Sequence, residues 1–283
     1  MNSASKSLFN DLSRQLLSKW GGLESNRMAE MVMAYVYGLS RIDIFLNKEL
    51  PPRTTELAPI LERLLLGEPI QYVLNQAYFF GHPFWVNNQV LIPRQETEEL
   101  VALILKENTQ AESRVLDLGT GSGAIAISLK LDRPDWHVEG IDLSAKALEV
   151  ARANSKNLVA MVEFSIGDIF DLVVNELQYH IIVSNPPYIP HAEKIYMEDA
   201  VLNHEPKLAL FVPDNDPLRF YRAIGNFAQK GLKPNGKLYL EINERFGKEI
   251  ELLLENLGFE AVTILEDLNK KARMVSAIRT SGS

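Results

Sequence analysis

Asn185-Pro186-Pro187-Tyr188 follows directly on the apolar run Ile181-Ile182-Val183-Ser184, and few reactions call for that arrangement of residue types. It suits chemistry at a planar nitrogen. An amide or ring amino nitrogen is a poor nucleophile because its lone pair is delocalised into the neighbouring carbonyl or ring, so to attack a methyl donor it must be held and reshaped. Two acceptors, the Asn185 side-chain oxygen and the Pro186 backbone carbonyl, can each take one N–H and turn the lone pair toward the donor, with Tyr188 flat against the planar group. The prolines fix their own φ and push the residue before them toward extended backbone, which pre-sets Asn185. Asn-Pro is equally an ordinary turn signal at the end of a buried strand, and Tyr188 equally a residue that packs beneath such a turn. A functional reading therefore needs a second motif.

That motif is Val115-Leu116-Asp117-Leu118-Gly119-Thr120-Gly121-Ser122-Gly123-Ala124-Ile125-Ala126. An apolar run, then glycines, then helical spacing predicts strand, tight turn and helix, the way a doubly wound sheet opens a nucleotide site. Glycines at 119, 121 and 123, with Thr120 and Ser122 between them, let backbone approach a ligand. About twenty residues on, the predicted strand Val138-Glu139-Gly140-Ile141-Asp142 ends in an acid suited to ribose hydroxyls. Gly119, Gly121 and Ala124 also satisfy the looser dinucleotide fingerprint, so the loop leaves a nicotinamide enzyme open. Asp117 points the other way. An acid at the strand tip, two residues before the first glycine, is placed to meet a cation such as the amino or sulfonium end of S-adenosylmethionine and is ill placed beside a pyrophosphate. A third acid, Asp168, follows the strand-like Val162-Glu163-Phe164-Ser165-Ile166. It reads either as an acceptor for an adenine amino group, with Ile169 or Phe170 on the ring, or as a helix N-cap. Taken jointly, these turns and the Asn-Pro-Pro-Tyr turn predict one crevice at the carboxyl edge of a parallel sheet.

Periodicity predicts the elements that hold these turns. Leu8, Phe9, Leu12, Leu16, Leu17 and Trp20 recur at helical spacing before Gly21-Gly22, followed by a stripe of Met28, Met31, Val32, Tyr35 and Val36. After Pro51-Pro52, Leu57, Ile60, Leu61, Leu64 and Leu65 mark another helix that stops at Gly67. This is a small helical bundle. Aromatic and β-branched residues between Tyr72 and Ile92, with turn signals at Gly81-His82-Pro83 and Asn87-Asn88, predict a hairpin. From Pro93 strands and helices alternate, including a strand over 237–242; two strand-like runs, 262–265 and 274–278, then lie too close for a crossover helix and must pair antiparallel. The expected organisation is a helical domain over residues 1–72, a β-hairpin linker over 73–92, and an α/β domain over 93–283 whose Rossmann-like sheet is closed by an antiparallel C-terminal hairpin.

A chain of 283 residues that is 46% hydrophobic can bury a sizeable core. The absence of cysteine excludes disulfides, cysteine metal sites and thiol nucleophiles, and suits a reducing compartment. Five histidines without clustering give no metal-ligand pattern. A formal net charge of −8 disfavours affinity won by neutralising many phosphates. With no basic-then-apolar leader and no run long enough for a bilayer, the expectation is a cytoplasmic protein that touches no membrane.

Across nearly its whole length the chain resembles the HemK/PrmC release-factor glutamine methyltransferases, within the class I S-adenosylmethionine-dependent enzymes. The marks are Gly67-Glu68-Pro69-Ile70-Gln71-Tyr72, Leu91-Ile92-Pro93-Arg94-Gln95-Glu96-Thr97-Glu98, the glycine loop, Asn185 to Tyr188, Glu205-Pro206 with Ala209-Leu210, and Leu232-Lys233-Pro234-Asn235-Gly236. Asn-Pro-Pro-Tyr alone is shared with adenine-N6 and cytosine-N4 DNA methyltransferases; the Ile-Pro-Arg-x-Glu-Thr-Glu segment resembles the glutamine-modifying branch. The resemblance implies methylation of the side-chain amide (N5) of the glutamine in the Gly-Gly-Gln loop of peptide-chain release factors. S-adenosylmethionine would be the cofactor and S-adenosylhomocysteine the product, with no metal and no direct nucleic acid required. It also implies that Gly119 to Gly123, Asp142 and Asn185 bind cofactor, that Ile169 packs near the adenine, and that Arg94 to Thr97 lie by its methionine end. Asn185, Pro186, Pro187 and Tyr188 would hold the glutamine, with Asn185, Pro186 and Tyr188 catalytic, and the N-terminal bundle would grip the protein substrate. The chain departs from the family pattern at Asn75, Gln95, Pro217 and Asn243, which bears on local loop shape. A nucleic-acid amino-methyltransferase with Tyr188 on a flipped base, and a non-catalytic scaffold that binds the translation apparatus, stand as the competing readings.

Overall fold

The computed structural model describes residues 4–53, 55–174 and 176–280. Its contacts divide the chain into two compact units, Met1–Gln76 with Glu198–His204, and Ala77–Met197 with Glu205–Ser283.

In the first unit the apolar stripes close on each other. Helices α1 (Ser5–Trp20), α2 (Gly22–Tyr37), α3 (Arg41–Phe45), α4 (Leu57–Leu65) and α5 (Ile70–Val73) bury Leu12, Leu16, Met28, Val32, Met33, Val36 and Leu64 in one core. Gly21, at φ 75°, ends α1, and its N–H reaches the Leu17 carbonyl. The short α3 goes beyond the three helices that periodicity predicts. Five residues are too few to show a stripe, and what starts it is a capping box in which Ser40 and Asp43 satisfy each other's backbone N–H.

The second unit opens with the paired strands β1 (Gln76–Phe79) and β2 (His82–Trp85), whose Phe79 and Phe84 rings meet edge to face at 6.0 Å. Then follow α6 (Gln95–Glu107), β3 (Arg114–Leu118), α7 (Ala124–Asp132), β4 (His137–Asp142), α8 (Ala145–Asn157), β5 (Glu163–Ile166), β6 (Tyr179–Ser184) and β7 (Ile189–Pro190). The chain next makes α9 (Asp199–His204), which clusters with the first unit, and returns for β8 (Phe211–Val212), a partner of β7. It ends with α10 (Arg219–Gly231), β9 (Leu232–Glu241), α11 (Gly247–Asn256), β10 (Phe259–Glu266) and β11 (Ala272–Arg279).

Seven strands form one sheet in the order β10-β11-β9-β6-β3-β4-β5, and β9, β6, β3, β4 and β5 run parallel. Val115, Leu116, Ile181, Ile182 and Val183 are fully buried, as parallel strands covered on both faces require. The last two strands are antiparallel, with β11 inserted between β9 and β10. Strand β9 starts five residues before the expected 237, because Leu232 already pairs with Tyr179; a register shift and a left-handed Asn235 (φ 64°) absorb the proline and glycine that read as a break. Strand order reverses at β3, whose neighbours are β4 and β6. A crevice opens at such a point, and Leu118 of β3 lies beside Ser184 of β6, so the glycine loop and Asn185 leave the sheet side by side.

Candidate active site at the carboxyl edge of the sheet

The glycine loop is shaped by acceptors on the next strand. Gly119 and Thr120 both give their N–H to the Ile141 carbonyl, and the Gly121 N–H goes to Asp142 Oδ2 at 2.8 Å. Gly119 (φ 74°) and Gly121 (φ 57°) have left-handed backbone, and a Cβ at either would meet nothing within 4 Å. Their bare Cα atoms therefore face open space, the cradle that a ligand's backbone contact needs. Gly123 (φ 80°) serves a different end. A Cβ there would lie 2.8 Å from Ile127 Cδ1 and 3.3 Å from Ala151 Cβ, so this glycine seats α7 against α8. Gly123→Ala should lower unfolding stability by ~2 kcal/mol, from backbone strain and overpacking together. Denaturant midpoints check this, and an unchanged midpoint would remove the packing role.

Asp142 holds two turns at once: Oδ2 takes Gly121 N–H, and Oδ1 takes the N–H of Ser144, whose hydroxyl caps α8. Burial raises its pKa, and the two N–H donors pull it back. Asp117 sits beneath the loop, buried, with Oδ2 accepting from the Thr120 hydroxyl at 2.6 Å. It braces the loop and is not among the residues that line the cavity. Burial pushes its carboxyl up to about 7, against the Thr120 hydroxyl and the Ala126 N–H, with Asp142's charge adding to the rise. An acid raised in the folded state binds a proton there that the unfolded chain has already lost, so its contribution to stability falls as pH climbs from about 4 to about 7. At ~1.4 kcal/mol per pH unit the ceiling is about 4 kcal/mol. The ligand-free protein should lose stability relative to Asp117→Asn across that window. A difference between the two that stays flat with pH would contradict the shift.

Gly119, Thr120, Gly121, Ser122, Asp142, Asp168, Ile169, Asn185, Pro186 and Pro187 all line one cavity of ≈ 660 Å³, while Asp117, Gly123 and Tyr188 lie behind its wall. That volume is within the range of small-molecule sites. Ile169, Phe170 and Leu143 supply an apolar side; Phe220 lies against Phe170 at 5.1 Å, and the Arg219 guanidinium sits 4.5 Å over the Phe170 ring. Asp168 Oδ1 accepts the Phe170 N–H, which presents that ring.

On the opposite side Ser184 ties β6 to β3 through the Leu118 carbonyl at 2.6 Å. Asn185 gives its Nδ2 to Thr97 Oγ1 at 3.1 Å, and Thr97 gives its hydroxyl to Glu241 Oε2 at 2.6 Å. Tyr188 donates to the other oxygen of the same carboxylate at 3.0 Å, so its hydroxyl faces Glu241. Burial and the Glu241 charge push that phenol far above its ordinary range. Glu241 is itself buried, which raises its pKa, while the Thr97 and Tyr188 hydroxyls and the Arg273 charge pull it down. The departure Asn243 gives its Nδ2 to the Tyr188 carbonyl and to Glu193, tying the turn from its far end. Arg94 reaches Glu205 at 2.6 Å, and Glu205 also accepts the Ile92 N–H. Sequence reading missed Glu241 and the pairing of Thr97 with Asn185. The available signal was an acid in the apolar strand pattern Leu238-Tyr239-Leu240-Glu241-Ile242. Among the described residues no group of three or more His, Asp or Glu is placed to hold a metal ion, and no helix is long and apolar enough to cross a membrane.

Two domain families match: Methyltransferase small domain over residues 96–205 and PrmC N-terminal domain over residues 11–74. A Bacteroides thetaiotaomicron protein named Release factor glutamine methyltransferase is 44% identical over 260 residues, covering 90% of this chain and 93% of that protein. A protein of the same name from Flavobacterium psychrophilum is 42% identical over 252 residues, covering 87% of this chain and 88% of its own. Among solved structures a methyltransferase from Pyrococcus furiosus superposes with a TM-score of 0.54 at 16% identity, covering 79% of this chain and 100% of that one, a likeness of fold.

Proposed function

This chain belongs to the release factor glutamine methyltransferase family, and from that premise we propose how its cavity works: the glycine loop and Asp142 hold the donor while Asn185 and Pro186 hold the amide. The enzyme is S-adenosylmethionine-dependent and methylates the glutamine of a peptide-chain release factor. The observation that carries the site reading is that the glycine loop and the Asn-Pro-Pro turn, leaving adjacent strands, line the same cavity. When bound, S-adenosylmethionine supplies an electrophilic methyl on a sulfonium and leaves as S-adenosylhomocysteine.

The open Cα atoms of Gly119 and Gly121 fit a ligand's close approach, and Asp142 at the cavity wall suits ribose hydroxyls. Ile169 and Phe170 form a slot for the adenine, with Asp168 beside it. Asn185 Oδ1 and the Pro186 carbonyl each accept one N–H of the substrate carboxamide, which fixes its plane and stabilises charge as the C–N bond forms. The nitrogen's spare proton then leaves to water, so no strong general base is needed. Tyr188 anchors the turn through Glu241. The substrate glutamine is that of the Gly-Gly-Gln loop, the first unit grips the release factor, and the enzyme works in the cytoplasm, where translation ends.

Mass spectrometry of a release factor before and after incubation with this protein and S-adenosylmethionine tests the reading. A gain of one methyl on the glutamine side chain is expected. Labelling of single- or double-stranded nucleic acid offered in parallel, with an unlabelled release factor, would overturn it.

A further inference from the structure

A carboxamide clamp works only one way round. If the Asn185 side chain turned over, an N–H would face the N–H of the substrate and repel it. What sets its orientation is Thr97, which lines the cavity beside it, and Glu241, which lies behind the wall. Glu241 ends β9, one residue past the Leu240 that pairs with Ser184, and is 1% exposed. A carboxylate can only accept, and both its oxygens are used, by Thr97 at 2.6 Å and by Tyr188 at 3.0 Å. Thr97 has one hydroxyl hydrogen. With that hydrogen committed to Glu241, its oxygen can only accept from Asn185, at 3.1 Å. Nδ2 must therefore face Thr97, and Oδ1 must face away from it.

We propose that Glu241 and Thr97 are positioning residues that dictate which end of the Asn185 amide meets the substrate, a one-way hydrogen-bond chain from a buried carboxylate to the reacting nitrogen. The inference rests on the Asn185 clamp proposed above. Thr97→Val keeps the shape but removes the acceptor, leaving Asn185 free to turn over. In Glu241→Gln the new NH₂ can donate to Thr97, which releases the Thr97 hydroxyl hydrogen to Asn185 and reverses the chain.

The test uses the full-length enzyme, S-adenosylmethionine and a release factor. Turnover, release-factor KM and calorimetric cofactor affinity are measured for Thr97→Val, Thr97→Ser, Asn185→Ala and the Thr97→Val/Asn185→Ala double variant. Thr97→Val should lower kcat ~10-fold or more with cofactor Kd and release-factor KM changed less than ~3-fold. Thr97→Ser, which restores the hydroxyl, should recover most of that loss. In the Asn185→Ala background Thr97→Val should cost nothing further, since its effect passes through Asn185. Turnover of Thr97→Val within twofold of the parent, or the same fold-loss with and without Asn185, overturns the inference while leaving the clamp standing. Full turnover of Asn185→Ala overturns both. Should Thr97→Val not fold, Glu241→Gln takes its place, with the same expected loss of kcat that vanishes in the Asn185→Ala background.

Discussion

Asn185→Ala is expected to lower kcat by ~10²-fold or more while cofactor affinity stays within a few-fold of the parent. The magnitude follows from losing one preorganised acceptor aimed at the charge that develops on the amide N–H. Preorganisation is the point. The Asn185 backbone is stiffened by Pro186, its amide is tied to Thr97 at 3.1 Å, and the strand beneath is pinned where Ser184 meets the Leu118 carbonyl. Nothing has to reorganise when the substrate amide arrives, so truncation removes transition-state stabilisation in full. The fold should tolerate it, because the lost contact leaves Thr97 still bonded to Glu241. Asn185→Asp sharpens the test. A carboxylate also accepts, but it has no N–H for Thr97 and places a charge beside that hydroxyl oxygen, so turnover should stay low. The checks are single-turnover rates at saturating cofactor and release factor, beside calorimetric cofactor affinity. A folded alanine variant with parental kcat, or one that loses cofactor affinity and turnover in equal measure, would take Asn185 out of the amide clamp.

Asp142→Ala should raise the cofactor Kd by ~10²-fold and leave kcat at saturating cofactor within ~5-fold. Two contributions add. On the reading proposed above the carboxylate accepts from ribose hydroxyls, and charge-assisted hydrogen bonds are worth ~1.5–3 kcal/mol each before solvent discounts them. It also holds the Gly121 and Ser144 N–H groups at 2.8 Å each, so its removal loosens both the glycine loop and the start of α8. Asp142→Asn separates the two. One amide oxygen can still accept, but its NH₂ faces a donor, so affinity should fall between parent and alanine. Isothermal calorimetry checks both variants. An alanine variant that binds cofactor normally would mean that the ribose is held elsewhere, and a large kcat loss at saturation would give Asp142 a part in the chemistry.

Residue types and spacing announce the turns around Asn185 and Asp142 far better than they announce the partners behind them. The strand-turn-helix around Gly119, the acid at 142 and the Asn-Pro-Pro-Tyr turn are local signals: each is a few adjacent residues whose backbone needs, a left-handed φ or a proline-stiffened bend, are written in their types. The alternation that makes a parallel sheet, and the short spacing that forces β10 and β11 into antiparallel pairing, are also local. Three glycines at even spacing look alike, however, and only packing separates the two that open to the cavity from Gly123, which seats α7 against α8. Tyr188 shows the same limit. Its type suited a platform for a planar group, and the fold turned its hydroxyl inward to Glu241. The partners that orient Asn185 lie far along the chain, Thr97 on α6 and Glu241 on β9, and nothing in their neighbours' spacing announces a hydrogen bond between them. Residue types and spacing determined which turns would exist. Strand order, with β6 set between β3 and β9, decided which buried groups meet behind them, because a hydrogen bond between distant residues depends on register across the sheet, and periodicity along one strand carries no record of it.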